Sequence, residues 1–202
     1  LVPAQCDPKN PIKVAVSEDL GTLPIESSVR SVIQNTAQIF SDLGAQVTQD
    51  HPNLDGAMEV FQTQRAAGLR TLGRNLDLAF PDWREDAKDT AIWNIERGFA
   101  LTPDELLNSE QQRTKIYAAV SEFFQRHDVL ALPAAQVPPF QIDQEWVSEI
   151  DGVTLDTYID WMAVCCMITV TGLPTLSIPA GFNSAGLPIG VQLVGKPRGD
   201  LE

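Results

Sequence analysis

Residues 171 to 195 constrain the fold of this chain more than any other stretch. They read Thr-Gly-Leu-Pro-Thr-Leu-Ser-Ile-Pro-Ala-Gly-Phe-Asn-Ser-Ala-Gly-Leu-Pro-Ile-Gly-Val-Gln-Leu-Val-Gly. Two short apolar runs, Leu176–Ile178 and Ile189–Val194, flank the segment from Phe182 to Pro188. The Asn-Ser-Ala-Gly inside that segment turns readily and tolerates positive φ. The pattern predicts an antiparallel hairpin. Gly181 and Gly190 mark places where a β-carbon would collide with a neighbour or where φ is unusual.

Upstream, Ile12–Val16 reads as a strand, followed by a helix with Ser27 or Ser28 as its N-cap. Val29, Val32, Ile33, Ala37, Phe40 and Leu43 fall on one helical face, and Gly44 sits where a left-handed C-terminal cap belongs. Ala45–Gln49 is a second strand, so this unit predicts a right-handed parallel crossover. His51–Asp55 reads as a loop. Leu54 to Arg74 reads as a helix, with Met58, Phe61 and Leu69 among its apolar positions. A further helix is expected between Pro81 and Gly98, where Trp83 and Trp93 are either core or pocket-facing. Thr102-Pro103-Asp104-Glu105 combines an N-cap, a proline at the first helical position and a capping box. The helix it opens runs to about Arg126, with Leu106, Ile116, Ala119, Val120, Phe123 and Phe124 on its apolar face. Val129–Pro133 is a continuous apolar run of the kind buried in a parallel sheet. Val137 to Gly152 is irregular, and Leu155 to Met167 is helical in pattern. The whole predicts an α/β chain, a mixed β-sheet sandwiched by helices.

The Thr171–Gly195 stretch closely resembles the C-terminal signature of the amidase signature family, the Ser–Ser–Lys amidohydrolases. The matching residues are Gly172-Leu173-Pro174, Ile178-Pro179-Ala180-Gly181-Phe182, Gly186-Leu187-Pro188, Gly190, Gln192 and Gly195. A looser resemblance covers most of residues 12 to 196, through Leu43-Gly44-Ala45, Arg97-Gly98, the Asp104–Arg113 helix and Asp128 to Pro133. It implies an incomplete, amidase-signature-like portion of a fold. Residues 1–202 are then a single domain, the C-terminal portion of an amidase, and Leu201-Glu202 a cloning scar. The opening Leu1-Val2-Pro3, without an initiator Met, fits an excised piece.

The resemblance implies hydrolysis of the C–N bond of linear carboxylic amides through a serine acyl-enzyme, with a small-molecule amide substrate and no metal or organic cofactor. The family's two serines lie in a glycine-rich Ser-Ser loop, with a lysine base upstream. Here Ser27-Ser28 has no glycines around it and opens a helix. None of Lys9, Lys13, Lys88, Lys115 and Lys196 precedes such a loop. No catalytic residue is therefore assigned within the chain, and the isolated chain is expected to be inactive. The alternatives are a non-catalytic binding or scaffold half-protein, and a glutamine-dependent amidotransferase of the A-subunit type, which feeds ammonia to a partner.

The candidate substrate-binding residues are Trp161, Thr171, Gly172 and Gln192. Gln192, between small apolar neighbours, is either a buried hydrogen-bonding prop or a pocket donor. Trp161 and Tyr158 either line a hydrophobic wall or fill core. His51 and His127 are isolated, and His127 reads as solvent-facing or capping. Cys165 and Cys166, on an apolar helix, read as inert packing. Asp82, Glu85, Asp86 and Asp89 read as a solvated face.

Bulk properties narrow the partners. With 14 basic and 27 acidic residues the net charge is −13, which argues against nucleic-acid surfaces and anionic membranes. No apolar run approaches the roughly 20 residues a membrane span needs. Cys6, Cys165 and Cys166 are odd in number and two are adjacent, so a disulfide scaffold is not expected and a reducing cytoplasm is. Dividing a sheet of this kind exposes an edge and an apolar face, so self-association as a homo-oligomer is expected.

Overall fold

Val14, Ala15 and Val16 are all buried. Consecutive residues of a strand point to opposite faces, so a run buried throughout needs cover on both sides of its sheet. The computed structural model describes residues 9–200 and bears this out. Expectations for Leu1–Pro3, Cys6 and Leu201-Glu202 lie outside the described residues. In chain order the elements are β1 (Lys13–Val16), α1 (Ser27–Asp42), β2 (Gln46–Gln49), α2 (Ala57–Ala79), α3 (Trp83–Asp86), α4 (Asp89–Ala100) and α5 (Pro103–Phe123). There follow β3 (Val129–Pro133), β4 (Glu149–Ile150), β5 (Val153–Thr154), a 3-10 turn (Asp160–Met162), α6 (Ala163–Thr171), β6 (Thr175–Phe182) and β7 (Pro188–Gly195). The described residues fall into two compact units, 9–54 with 117–200, and 55–116.

The first unit holds a five-stranded mixed sheet in the order β2-β1-β3-β7-β6. β1 pairs parallel with β2 and β3, while β7 runs antiparallel to both β3 and β6. One face carries Val14, Val16, Ala131, Ile189 and Val191, which pack with Ile25, Val29, Val32 and Ile33 of α1 and its approach. The opposite face follows from the register: Ala15 lies beside Leu130, Leu130 beside Val194, and Leu132 beside Gln192. All five of these residues are buried. β6 is an edge strand, as is β2 at the other side, and carries Leu176 at 60% exposure and Phe182 at 71%. Its register shifts between Pro179 and Gly181, where φ is +155°, a value that favours glycine.

Several readings need correction. Ser27 and Ser28 are not caps: α1 begins at Ser27 and no side chain of the preceding Glu26 caps it. The Ser27 amide instead donates to Asp151 Oδ2 at 2.9 Å, and the Ser28 hydroxyl donates to Glu26 Oε1 at 2.7 Å. A carboxylate from far along the chain therefore meets the positive end of α1. It is delivered by a two-residue hairpin between β4 and β5, with Asp151 at φ 47° and Gly152 at 83°. Leu43 stays 66% exposed rather than joining the apolar face. His127 faces the interior, not solvent. Its ring stacks on Phe123 at 4.5 Å, and Nδ1 lies 3.4 Å from the Phe123 carbonyl. A carbonyl only accepts, so Nδ1–H donates there as a helix cap, while Nε2 lies 3.1 Å from the Thr48 hydroxyl.

In the second unit, α2 starts at Ala57 and extends to Ala79, beyond the expected end at Arg74. Helices α2 and α4 approach at glycines. A β-carbon at Gly98 would meet the Ala66 carbonyl oxygen, and one at Gly73 would meet Ile95. Arg70 closes the seam by donating from Nη1 to the carbonyls of Gly98 and Phe99, each at 3.3 Å. The single helix expected after Pro81 is two, α3 and α4, divided at Ala87 and Lys88. Trp83 is core, with Nε1 donating to Asp77 Oδ1 at 3.0 Å, whereas Trp93 lies exposed on α4. The capping box forms as expected: Thr102 donates its amide (2.8 Å) and hydroxyl (2.7 Å) to Glu105 Oε2. Those bonds hold the Glu105 carboxyl below its ordinary pKa.

Candidate functional site

The sheet's parallel strands end at one edge, and the chain leaves β3 there through Pro133 and Ala134. The Ala134 amide donates to the Gly190 carbonyl at 3.0 Å, continuing the ladder one residue further. A cavity of about 300 Å³ opens beside this exit. Ala134, Pro188, Ile189 and Gly190 form its floor, and Val137, Pro138, Pro139, Phe140 and Trp161 its walls. Gly190 is glycine for a spatial reason: an added β-carbon would sit 3.0 Å from Cβ of Ala134.

Trp161 is on the 3-10 turn rather than on the helix expected over Leu155 to Met167, because α6 begins only at Ala163. Thr157 and Asp160 organise that turn, with the Thr157 amide donating to Asp160 Oδ2 at 2.7 Å. The turn sets the Trp161 ring edge-to-face against Phe140, centroids 5.4 Å apart and planes at 86°. Trp161 also packs on a small separate core of Val137, Val147, Ile150 and Leu155. Trp161 thus borders the cavity on one side and packs on that core on the other.

Behind the wall stands Gln136, fully buried. Its Nε2 donates to the Pro24 carbonyl at 2.9 Å, its Oε1 accepts the Val164 amide at 3.1 Å, and its own carbonyl accepts the Glu26 amide at 2.9 Å. Three chain segments meet on one side chain and its backbone. Next to it, the Cys165 thiol donates to the Ala134 carbonyl at 2.7 Å, and burial pushes that thiol's pKa up, away from the reactive thiolate.

The remaining candidates do not line the cavity. Thr171 ends α6, donating its hydroxyl to the Ile168 carbonyl at 2.6 Å and accepting the Leu173 amide at 3.3 Å. Gly172 follows it at φ 67°, in the left-handed cap position. Gln192 is buried on β7 and donates Nε2 to the Pro133 carbonyl at 2.9 Å, bracing the point where β3 turns out of the sheet. Sequence reasoning missed Gln136 and Phe140. The signal for them was a lone amide within the apolar run Val129 to Pro139, whose closing pair of prolines stiffens the next aromatic. A larger groove, about 480 Å³, lies within the second unit between α2 and α5. Glu59, Glu105, Lys115 and Gln112 border it, and the Gln112 amide is already bonded to the Asp55 carbonyl at 2.7 Å. None of the candidate residues touches it.

Of the signature stretch, Pro188, Ile189 and Gly190 lie at the β3 exit, whereas Gly195 pairs with Val129 at the start of β3, where its amide closes the hairpin onto the Pro174 carbonyl at 2.9 Å. The family model described as Amidase matches residues 3–202. The chain belongs to the amidase family. This amidase chain is 25% identical over 193 residues to the acylamidase of Rhodococcus erythropolis, covering 94% of the chain and 39% of that protein. It is 34% identical over 200 residues to the A-type chain of the glutamyl-tRNA(Gln) amidotransferase of Geobacter sp. (strain M21), covering 88% and 40%. Its fold matches the crystal structure of a bacterial aryl acylamidase of the amidase signature family with a TM-score of 0.79 at 21% identity, covering 95% of the chain and 41% of that structure. The mixed sheet with its helices is therefore the amidase-signature arrangement, and the chain spans about two fifths of the length of these relatives. Among the described residues, no helix is long and apolar enough to cross a membrane.

Proposed function

We propose that residues 1–202 form the C-terminal portion of an amidohydrolase that cleaves linear carboxylic amides, with the acyl-transfer residues outside this chain. In that reaction a serine oxygen attacks the amide carbon, the amine departs with a proton, and water releases the carboxylic acid. The observation that carries the reading is family membership across the whole chain together with the way its serine pair is used. Ser27 and Ser28 are built into the first turn of α1, bonded to Asp151 and Glu26. Lys196 is likewise engaged, with Nζ 2.6 Å from Asp128 Oδ1. The chain's contribution is then a wall for the substrate. Of the four candidates we assign Trp161 to that wall, and Thr171, Gly172 and Gln192 to holding its frame. The thiols at Cys165 and Cys166 suit a reducing cytoplasm.

Ammonia release tests this directly. The purified chain is expected to give only background with simple amides, while the parent polypeptide turns them over. Release by the chain alone, abolished by Ser28→Ala, overturns the assignment. A second reading, part of a glutamine-dependent amidotransferase, draws on the 34% identity to the Geobacter amidotransferase chain. In that reading the charge partners of glutamine come from outside these residues, since no charged side chain lines the wall. We also place self-association on the bare flank of β6, where Thr175–Phe182 contains no charged residue. Sedimentation is expected to show species heavier than the monomer, and a single monomeric species at all concentrations overturns this.

A further inference from the structure

We propose that the Phe140–Trp161 cavity selects amides that carry one uncharged aromatic ring; this rests on the reading that the chain supplies a substrate wall. Size is the first argument. An apolar cavity of about 150 Å³ already takes up benzene. The space here, about 300 Å³ and open on one side, admits one ring, with any further substituent directed out through the mouth.

The wall's chemistry is the second argument. Val137, Ile189, Phe140 and Trp161 present carbon, and Pro138, Pro139 and Pro188 have no amide hydrogen to offer. A carboxylate or ammonium entering this space loses water and gains no counter-charge. A neutral ring loses nothing of the kind and removes apolar surface from water. Geometry is the third. Phe140 and Trp161 meet edge to face at 86°, which leaves a corner where a third ring can set its face against one partner and its edge against the other.

The position is also held before anything binds. Gln136 anchors the segment leading into Val137, and Trp161 rests on the core of Val147, Ile150 and Leu155. A saturated ring of equal size fills the same space without the quadrupole, so the site separates aromatic from merely bulky ligands.

The test is calorimetry and ligand-observed saturation-transfer NMR on the 202-residue chain, with benzamide, cyclohexanecarboxamide, acetamide and 4-carboxybenzamide as probes. Benzamide is expected to bind about tenfold tighter than acetamide or 4-carboxybenzamide and measurably tighter than cyclohexanecarboxamide. Trp161→Ala is expected to lose about that factor and Trp161→Phe to keep most of it. Phe140→Ala, at a partly exposed position, gives the same readout should Trp161→Ala fail to fold. Equal binding of all four amides, or benzamide binding unchanged in both alanine variants, overturns the proposal. The parent polypeptide separates the two levels. Hydrolysis of amides without aromatic preference removes the selectivity and leaves the amidohydrolase reading. Benzamide bound at Trp161 with no amide ever hydrolysed removes the reading and leaves the cavity.

Discussion

Gly98→Ala is expected to destabilise the unit of residues 55–116 by about 3 kcal/mol, the upper end of ordinary overpacking. The reason is positional. A methyl group on Gly98 points at the carbonyl oxygen of Ala66 and crowds Arg70, and backbone cannot move aside as the tip of a side chain can. Relieving the clash means separating α2 from α4, which also lengthens the two bonds from Arg70 to the end of α4. For a unit of this size the loss corresponds to a melting temperature lower by roughly 10 °C or more. Gly68→Ala supplies the contrast. Gly68 is exposed on α2 with nothing within 4 Å of an added β-carbon, so alanine there should stabilise by about 0.5–1 kcal/mol through helix propensity alone. Thermal unfolding followed by far-UV circular dichroism compares the pair. Equal stability of the two variants would show that the helices stand further apart than described.

The second large effect is expected at Gln136. Gln136→Leu keeps the volume and deletes both side-chain bonds, stranding the Val164 amide and the Pro24 carbonyl. Each buried group left unmatched costs about 1–3 kcal/mol, so about 3 kcal/mol for the pair is expected in urea unfolding. Hydrogen exchange adds a local reading: the Val164 amide should exchange much faster in the variant. An unchanged unfolding midpoint with Val164 still protected rules out the clamp. Because the same segment enters the cavity wall, the variant is also expected to weaken benzamide binding, although Gln136 lines no part of the cavity.

What the sequence disclosed, and what it hid, divides by the range of the interactions. The hairpin of β6 and β7 was legible because its turn residues and apolar runs are neighbours in the chain. The capping box at Thr102 and Glu105 was legible for the same reason. The cap on α1 was not. It joins residues 124 apart, and Ser27 and Ser28 satisfied every local rule for a cap that the fold then supplied from elsewhere. The Asp151-Gly152 pair was a readable hairpin signal between Ile150 and Val153 that the irregular look of its surroundings obscured. For His127 the capping alternative was legible and the solvent-facing one was wrong, because its burial depends on Thr48 and Phe123 converging on it. Of the site, Trp161 was named as an aromatic just ahead of the signature stretch, whereas its orientation comes from a 3-10 turn that apolar periodicity cannot distinguish from helix. Phe140 could be found only once the chain after Pro139 had a path.

The turn at Asp151 and Gly152 ties one end of the 137–155 segment to α1, and Gln136 ties the other to α6 and to the Pro24–Glu26 approach to α1. A loop stapled at both ends has surrendered its conformational entropy during folding. A ligand arriving at Phe140 and Trp161 then has few torsions left to freeze, and its affinity reflects shape and contact almost undiminished by ordering of the receptor.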